Sequence, residues 1–110
     1  MMGATLQPVY RKAGIVRRTG LGLVMEIAGA SYYITPEDVP SLLFDRGAEV
    51  VNQVGDPEGR AWLSPAIPEK KQEMTARIRE RIFVVRYDEM KRVLLGDQAR
   101  APVREYTTLC

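Results

Sequence analysis

The chain has 110 residues, 16 basic and 14 acidic side chains, a net charge of +2, one cysteine and no histidine. That length fits one domain, 1–110, that can bury a core without disulfides or metal. The missing histidine removes the commonest general base and metal ligand, the lone cysteine removes disulfide frameworks and cysteine zinc sites, and no apolar run is long enough to span a membrane.

Val9 to Arg17 carries β-compatible side chains and ends in charge, and Thr19-Gly20-Leu21-Gly22 supplies turn chemistry. From Leu23 to Ile27 the chain alternates, with Leu23, Met25 and Ile27 on one side and Val24 and Glu26 on the other. Period 2 predicts a strand with one buried face. Gly29 suits a tight turn at positive φ, and Ala30 to Thr35 is rich in β-formers, so the segment reads as a hairpin.

A short helix is expected over 35–44. Thr35 is the N-cap, Pro36 suits the first helical position, and Glu37 and Asp38 complement the helix dipole. Val39, Leu42 and Leu43 form one apolar face, Pro40 keeps the helix short, and Gly47 ends it. Glu49 to Val54 and Arg60 to Ser64 read as a second hairpin around the loop 55–59, with Trp62 in the returning strand.

The stretch 69–81 reads two ways. Met74, Ile78 and Ile82 are spaced by four, as in a helix, but Ile78, Ile82 and Val84 also share a strand face. Ile82 to Val85 is β, and a helix over 87–95 follows, with Asp88 and Glu89 early, Lys91 and Arg92 late, and Gly96 as the stop. Ala101 to Leu109 adds a final strand after Pro102.

The sequence also matches itself by class at an offset of 51. Tyr32-Tyr33-Ile34 falls on Phe83-Val84-Val85, Glu37-Asp38 on Asp88-Glu89, and Leu42-Leu43 on Val93-Leu94. If this is a duplication, the halves lie at about 8–54 and 59–105, and Met74 to Glu80 is a strand. The expected fold is mainly β and barrel-like, built from two hairpin-plus-short-helix units with pseudo-two-fold symmetry. The alternative is α+β with one helix at about 68–81. Ile27, Ile34, Leu42, Leu43, Val85, Val93 and Leu94 are expected in the core.

No phosphate-binding loop, dinucleotide glycine fingerprint, nucleophile elbow or metal motif occurs. Thr19 to Gly22 echoes a phosphate loop but lacks its Lys-Ser/Thr ending; a hairpin turn accounts for it. Glu37-Asp38 and Asp88-Glu89 would converge if the halves pack across a dyad, although helix starts attract acids for dipole reasons alone. Glu26 faces outward by alternation, and its repeat partner is Arg77, of opposite charge.

Arg17 and Arg18 precede the first turn, and Arg77, Arg79 and Arg81 alternate on one face if their segment is extended. Tyr32, Tyr33 and Tyr87 add stacking surfaces, so the five arginines are the candidate nucleic-acid contacts. No catalytic residue, cofactor or metal ligand is expected. The leading expectation is a non-catalytic accessory or protein-interaction domain that self-associates. The alternative is a small nucleic-acid-binding or regulatory barrel using the arginine stripe. Met1 to Gln7 lacks the features of a signal peptide and Cys110 reads as a free thiol, so a cytoplasmic, non-membrane setting is expected.

Overall fold

The structure, a computed structural model, describes residues 7–44, 47–65 and 73–109. β1 (Gln7–Thr19) turns through Gly20 and Leu21 into β2 (Gly22–Ile27), which turns through Ala28 and Gly29 into β3 (Ala30–Ile34). A short helix, α1 (Val39–Leu43), leads to β4 (Glu49–Gln53). The same order follows again: β5 (Asp56–Ser64), β6 (Glu73–Ile78), β7 (Arg81–Arg86), α2 (Tyr87–Leu95) and β8 (Arg100–Leu109). Every neighbouring pair is antiparallel, and β8 pairs back onto β1, which closes an eight-stranded barrel in sequence order. Closure leaves neither half with the open sheet edge it would have alone.

The mainly β, barrel-like expectation therefore holds, and the α+β alternative with a helix at about 68–81 does not. Glu73–Ile78 is a strand; residues 68–72 lie outside the described residues. In β6, Met74 and Ala76 are fully buried, while Thr75 and Arg77 between and after them are not. The turn at Arg79 and Glu80 then separates Ile78 from Ile82, so the spacing of four spans a hairpin, not a helical turn.

The offset of 51 maps β2 onto β6 residue for residue, β3 onto the first five residues of β7, and α1 into α2. Arg79 adopts a left-handed φ of 57°, as its counterpart Ala28 does at 52°. The strand order maps onto itself when every strand is advanced by four.

Alternate residues of all eight strands point into the barrel. Val16, Met25, Ile34, Leu63, Met74, Phe83 and Val103 are almost completely buried there. Both helices lie at the end of the barrel where β1 finishes and β2 begins, and they plug it with Val39, Leu42, Leu43, Met90 and Val93. Each large apolar side chain taken fully out of water contributes about 1.5–3 kcal/mol. Leu94, expected in the core, is only half-buried against it. The two plugs are tied together: the Tyr87 hydroxyl at the start of α2 donates to the Leu43 carbonyl at the end of α1.

α2 runs over the expected residues and ends at Gly96, whose φ of 86° lets its N–H reach the Val93 carbonyl while Asp97 N–H reaches that of Arg92. The first helix is shorter than expected. The Thr35 carbonyl accepts from the N–H groups of Asp38 and Val39, but regular helix begins at Val39 with Asp38 as N-cap. Phe44 ends it, not Gly47. Pro40 sits in the first turn, where its missing N–H leaves nothing unpaired. The expected loop at 55–59 contracts to a turn at Val54 and Gly55, and the remaining residues enter β5 as an irregularity opposite Asn52 and Gln53.

Candidate binding surface

Strand pairing on the outside of the barrel builds one continuous cross-strand row. Val50 of β4 lies opposite Trp62 of β5, Trp62 opposite Arg77 of β6, and Arg77 opposite Ile82 of β7. Ile82 lies opposite Tyr106 of β8, and Tyr106 opposite Tyr10 of β1. Each of these residues alternates with an inward neighbour such as Ala61, Leu63, Ala76 or Phe83, so all six point outward. Five of the six are apolar or aromatic, yet Trp62 is 52% exposed, Tyr10 48% and Val50 42%. Exposed apolar side chains are ordinary when scattered and informative when contiguous. Here Val50, Trp62, Arg77 and Ile82 line a single hollow of about 450 Å³ together with Ser64 and Thr75. At the far end of the row the Tyr10 and Tyr106 rings meet edge to face at 5.4 Å.

The same wall is basic. Arg60 precedes Trp62 along β5 on the outward side, and Lys12 lies opposite Arg104 one outward step beyond the tyrosine pair. Among the described residues, no carboxylate stands within ion-pairing distance of Arg60, Arg77, Arg104 or Lys12. Arg86, at the lower margin of the wall, is bound to Asp88 at 3.4 Å.

The five arginines read from the sequence do not form one stripe. Arg17 on β1 is held by Glu26 of β2 at 2.5 Å. Arg18 points the other way, as alternation requires, and donates to the Leu94 carbonyl at 3.4 Å near the end of α2. Arg77 stands in the outer row, but β6 ends at Ile78, so Arg79 falls in the turn and Arg81 on the next strand. Alternation along one strand stops at the hairpin, which sends these last two to the open end of the barrel.

That open end, opposite the helices, is a second recess. Tyr32, Gln53, Ile78 and Arg79 border two hollows, one of about 340 Å³ that reaches Glu58, Arg60 and Trp62 and one of about 250 Å³ that lies over Ile27 and Phe83. Burial raises the Tyr32 hydroxyl above the ordinary tyrosine value, and the Arg79 charge opposes that rise. Arg81 is committed elsewhere: its guanidinium donates twice to Glu105, at 2.8 and 2.7 Å, and lies 5.1 Å from the centre of the Phe83 ring. The hydrogen bond from Arg81 holds the Glu105 carboxyl below the ordinary glutamate range.

Of the aromatic residues expected to stack, Tyr32 is buried at the mouth, Tyr87 is bound to Leu43, and Tyr33 is exposed on β3, away from the row. The aromatic side chains of the outer row are instead Tyr10, Trp62 and Tyr106. Period 2 already sends Trp62 outward between Ala61 and Leu63, but meeting Tyr10 and Tyr106 depends on pairing between distant strands. Glu37-Asp38 and Asp88-Glu89 each stay at their own helix start, and no acidic, histidine or cysteine cluster able to hold a metal occurs among the described residues. No described helix is long and apolar enough to cross a membrane. No family model matches this chain, and no curated protein or solved structure matches it either.

Proposed function

We propose that this protein is a non-catalytic binding module whose working surface is the outer wall of β4 to β8 and the adjoining part of β1. The observation that carries this reading is the row Val50–Trp62–Arg77–Ile82–Tyr106–Tyr10, which places contiguous apolar and aromatic side chains in water. The absence of histidine from the sequence supports a binding role over a catalytic one. The lone cysteine agrees with a reducing, cytoplasmic setting. A second copy of the chain is the poorer occupant of this wall. Two copies docked face to face would bring the cations Arg60, Arg77, Arg104 and Lys12 of both walls into one interface with no carboxylate paired to them among the described residues.

Site-directed photocrosslinking tests the reading. Ile82→benzoylphenylalanine places a reactive group in the row, and Tyr33→benzoylphenylalanine places one on the wall of β3. Macromolecular adducts in cells at position 82 and not at 33 are expected. Equal labelling at both positions, or none at either, would refute the wall as the working surface.

A further inference from the structure

Resting on that wall, we infer that its occupant is a single-stranded nucleic acid, held by stacking on Trp62 and the Tyr10–Tyr106 pair and by phosphate contacts to the flanking cations. The row crosses six of the eight strands, and neighbouring strands lie about 4.8 Å apart, so it runs roughly 24 Å around the outside of the closed barrel, more than half its circumference. That length accommodates a run at the short end of the roughly 4–16 nucleotides that single-strand-binding barrels cover. Aromatic faces exposed to water bind unpaired bases without regard to sequence, because every base has a π-face. A duplex hides those faces inside its stack.

Charge selects between a nucleic acid and an apolar protein surface. Arg77 stands in the row itself, between Trp62 and Ile82, where it would be desolvated by any apolar partner. A phosphate or a base edge satisfies it. Arg60 lies beyond Trp62 on one side of the row, and Lys12 and Arg104 lie on the other. The row thus has cations at both margins, with Glu58 and Asp56 beyond Arg60 at one of them, so the backbone of a stacked strand would run on the Lys12–Arg104 side.

The correspondence of elements at the offset of 51 supplies an internal control. The equivalent row of the first half runs Pro102, Ile15, Glu26 and Ser31. It has no aromatic ring, and the place of Arg77 is taken by a glutamate already bound to Arg17. One scaffold therefore presents two equivalent rows, and only the row of the second half carries aromatic rings together with an arginine unpaired among the described residues.

Fluorescence anisotropy with labelled dT12 and U12 tests the inference and separates DNA from RNA. Binding to at least one is expected, with log K falling against log salt at a slope near −0.7 per phosphate contact, so about −3 for four contacts. Trp62→Ala is expected to weaken it by about tenfold or more at unchanged salt slope, as lost stacking should. Arg77→Glu is expected to weaken it and flatten the slope, and Glu26→Gln to leave both unchanged. Heparin is the control for bare charge. Trp62→Ala leaving affinity for either oligonucleotide intact, or heparin binding as strongly as both with no Trp62 dependence, overturns stacking. Nuclease-resistant protein adducts at position 82 without oligonucleotide binding overturn this inference while the wall stands; no adduct and no oligonucleotide binding overturn both.

Discussion

Glu26 and Arg77 hold equivalent places in the two halves of the barrel and carry opposite charge. Glu26 is neutralised by Arg17 at 2.5 Å, with both side chains well exposed, whereas Arg77 lies between Trp62 and Ile82. The difference is one of surface chemistry and not of support. Glu26→Gln is therefore expected to shift stability by less than about 1 kcal/mol, the range of exposed ion pairs, in denaturant unfolding. A loss several times larger would mean that the pair helps hold β1 against β2.

The helical plug makes a graded prediction. Leu43 is 2% exposed, whereas Leu94, its counterpart at the offset of 51, is half-buried. Leu43→Ala is expected to cost about 2–5 kcal/mol. Leu94→Ala should cost clearly less, because part of its surface never leaves water. Equal losses in thermal unfolding would show that the two helices seal the barrel equally.

Tyr87 links the two plugs through its hydroxyl, so Tyr87→Phe removes one bond and keeps the ring. The expected loss is about 1 kcal/mol, with the fold intact. Faster amide exchange in α1 of the variant would show that the bond fixes one helix against the other.

Gly14 sits where β1 crosses the backbone of β2. A Cβ built there would lie 1.8 Å from the Glu26 carbonyl oxygen, and a backbone atom inside a paired strand gives way poorly. Gly14→Ala is expected to destabilise by about 1–3 kcal/mol or more, as overpacking does. Retained stability would mean that the irregular register between Lys12 and Gly14 relaxes to admit a methyl group.

Two groups set the expected pH limits of stability. Glu105 titrates below its unfolded value, so the contribution of its bond to Arg81 is present above the ordinary glutamate pKa of about 4.3 and is lost as pH falls through the lower folded value. Glu105→Gln should flatten the melting temperature against pH on that acid side. Tyr32 titrates above its unfolded value, so its contribution is present below about pH 10 and fades as pH rises through the higher folded value. Tyr32→Phe should remove that alkaline loss, and an unchanged profile would place the titration elsewhere.

What could be read from the residues in order was what each strand does alone. Alternation at Leu23 to Ile27 and the punctuated segment ending at Gly96 set β2 and α2 close to where they lie. The sequence left β6 open between helix and strand, a strand only if the offset of 51 is a duplication; tertiary pairing prevailed there over local helix propensity. The row from Val50 to Tyr10 was out of reach, because it exists only through the register of six strands. A slip of one residue in any of them would turn its member inward. The same limit misplaced Arg79 and Arg81: their alternation with Arg77 is real along the chain, but a two-residue turn carries them around the end of the barrel.

The seam between β1 and β8 joins the first and last described strands, with Gln7 opposite Leu109. Every other seam joins neighbours in the chain and can form early from a local loop. This one must wait until the chain between its two strands has been ordered, since closing a long loop has the largest entropy to overcome. It also carries the Tyr10–Tyr106 end of the row and the Lys12–Arg104 pair. The outer row is thus completed by the one seam that joins strands far apart in the chain. A chain stalled just before that seam closes would hold Val50, Trp62, Arg77 and Ile82 in place and still lack the tyrosines, so assembly of the surface reports on closure of the barrel.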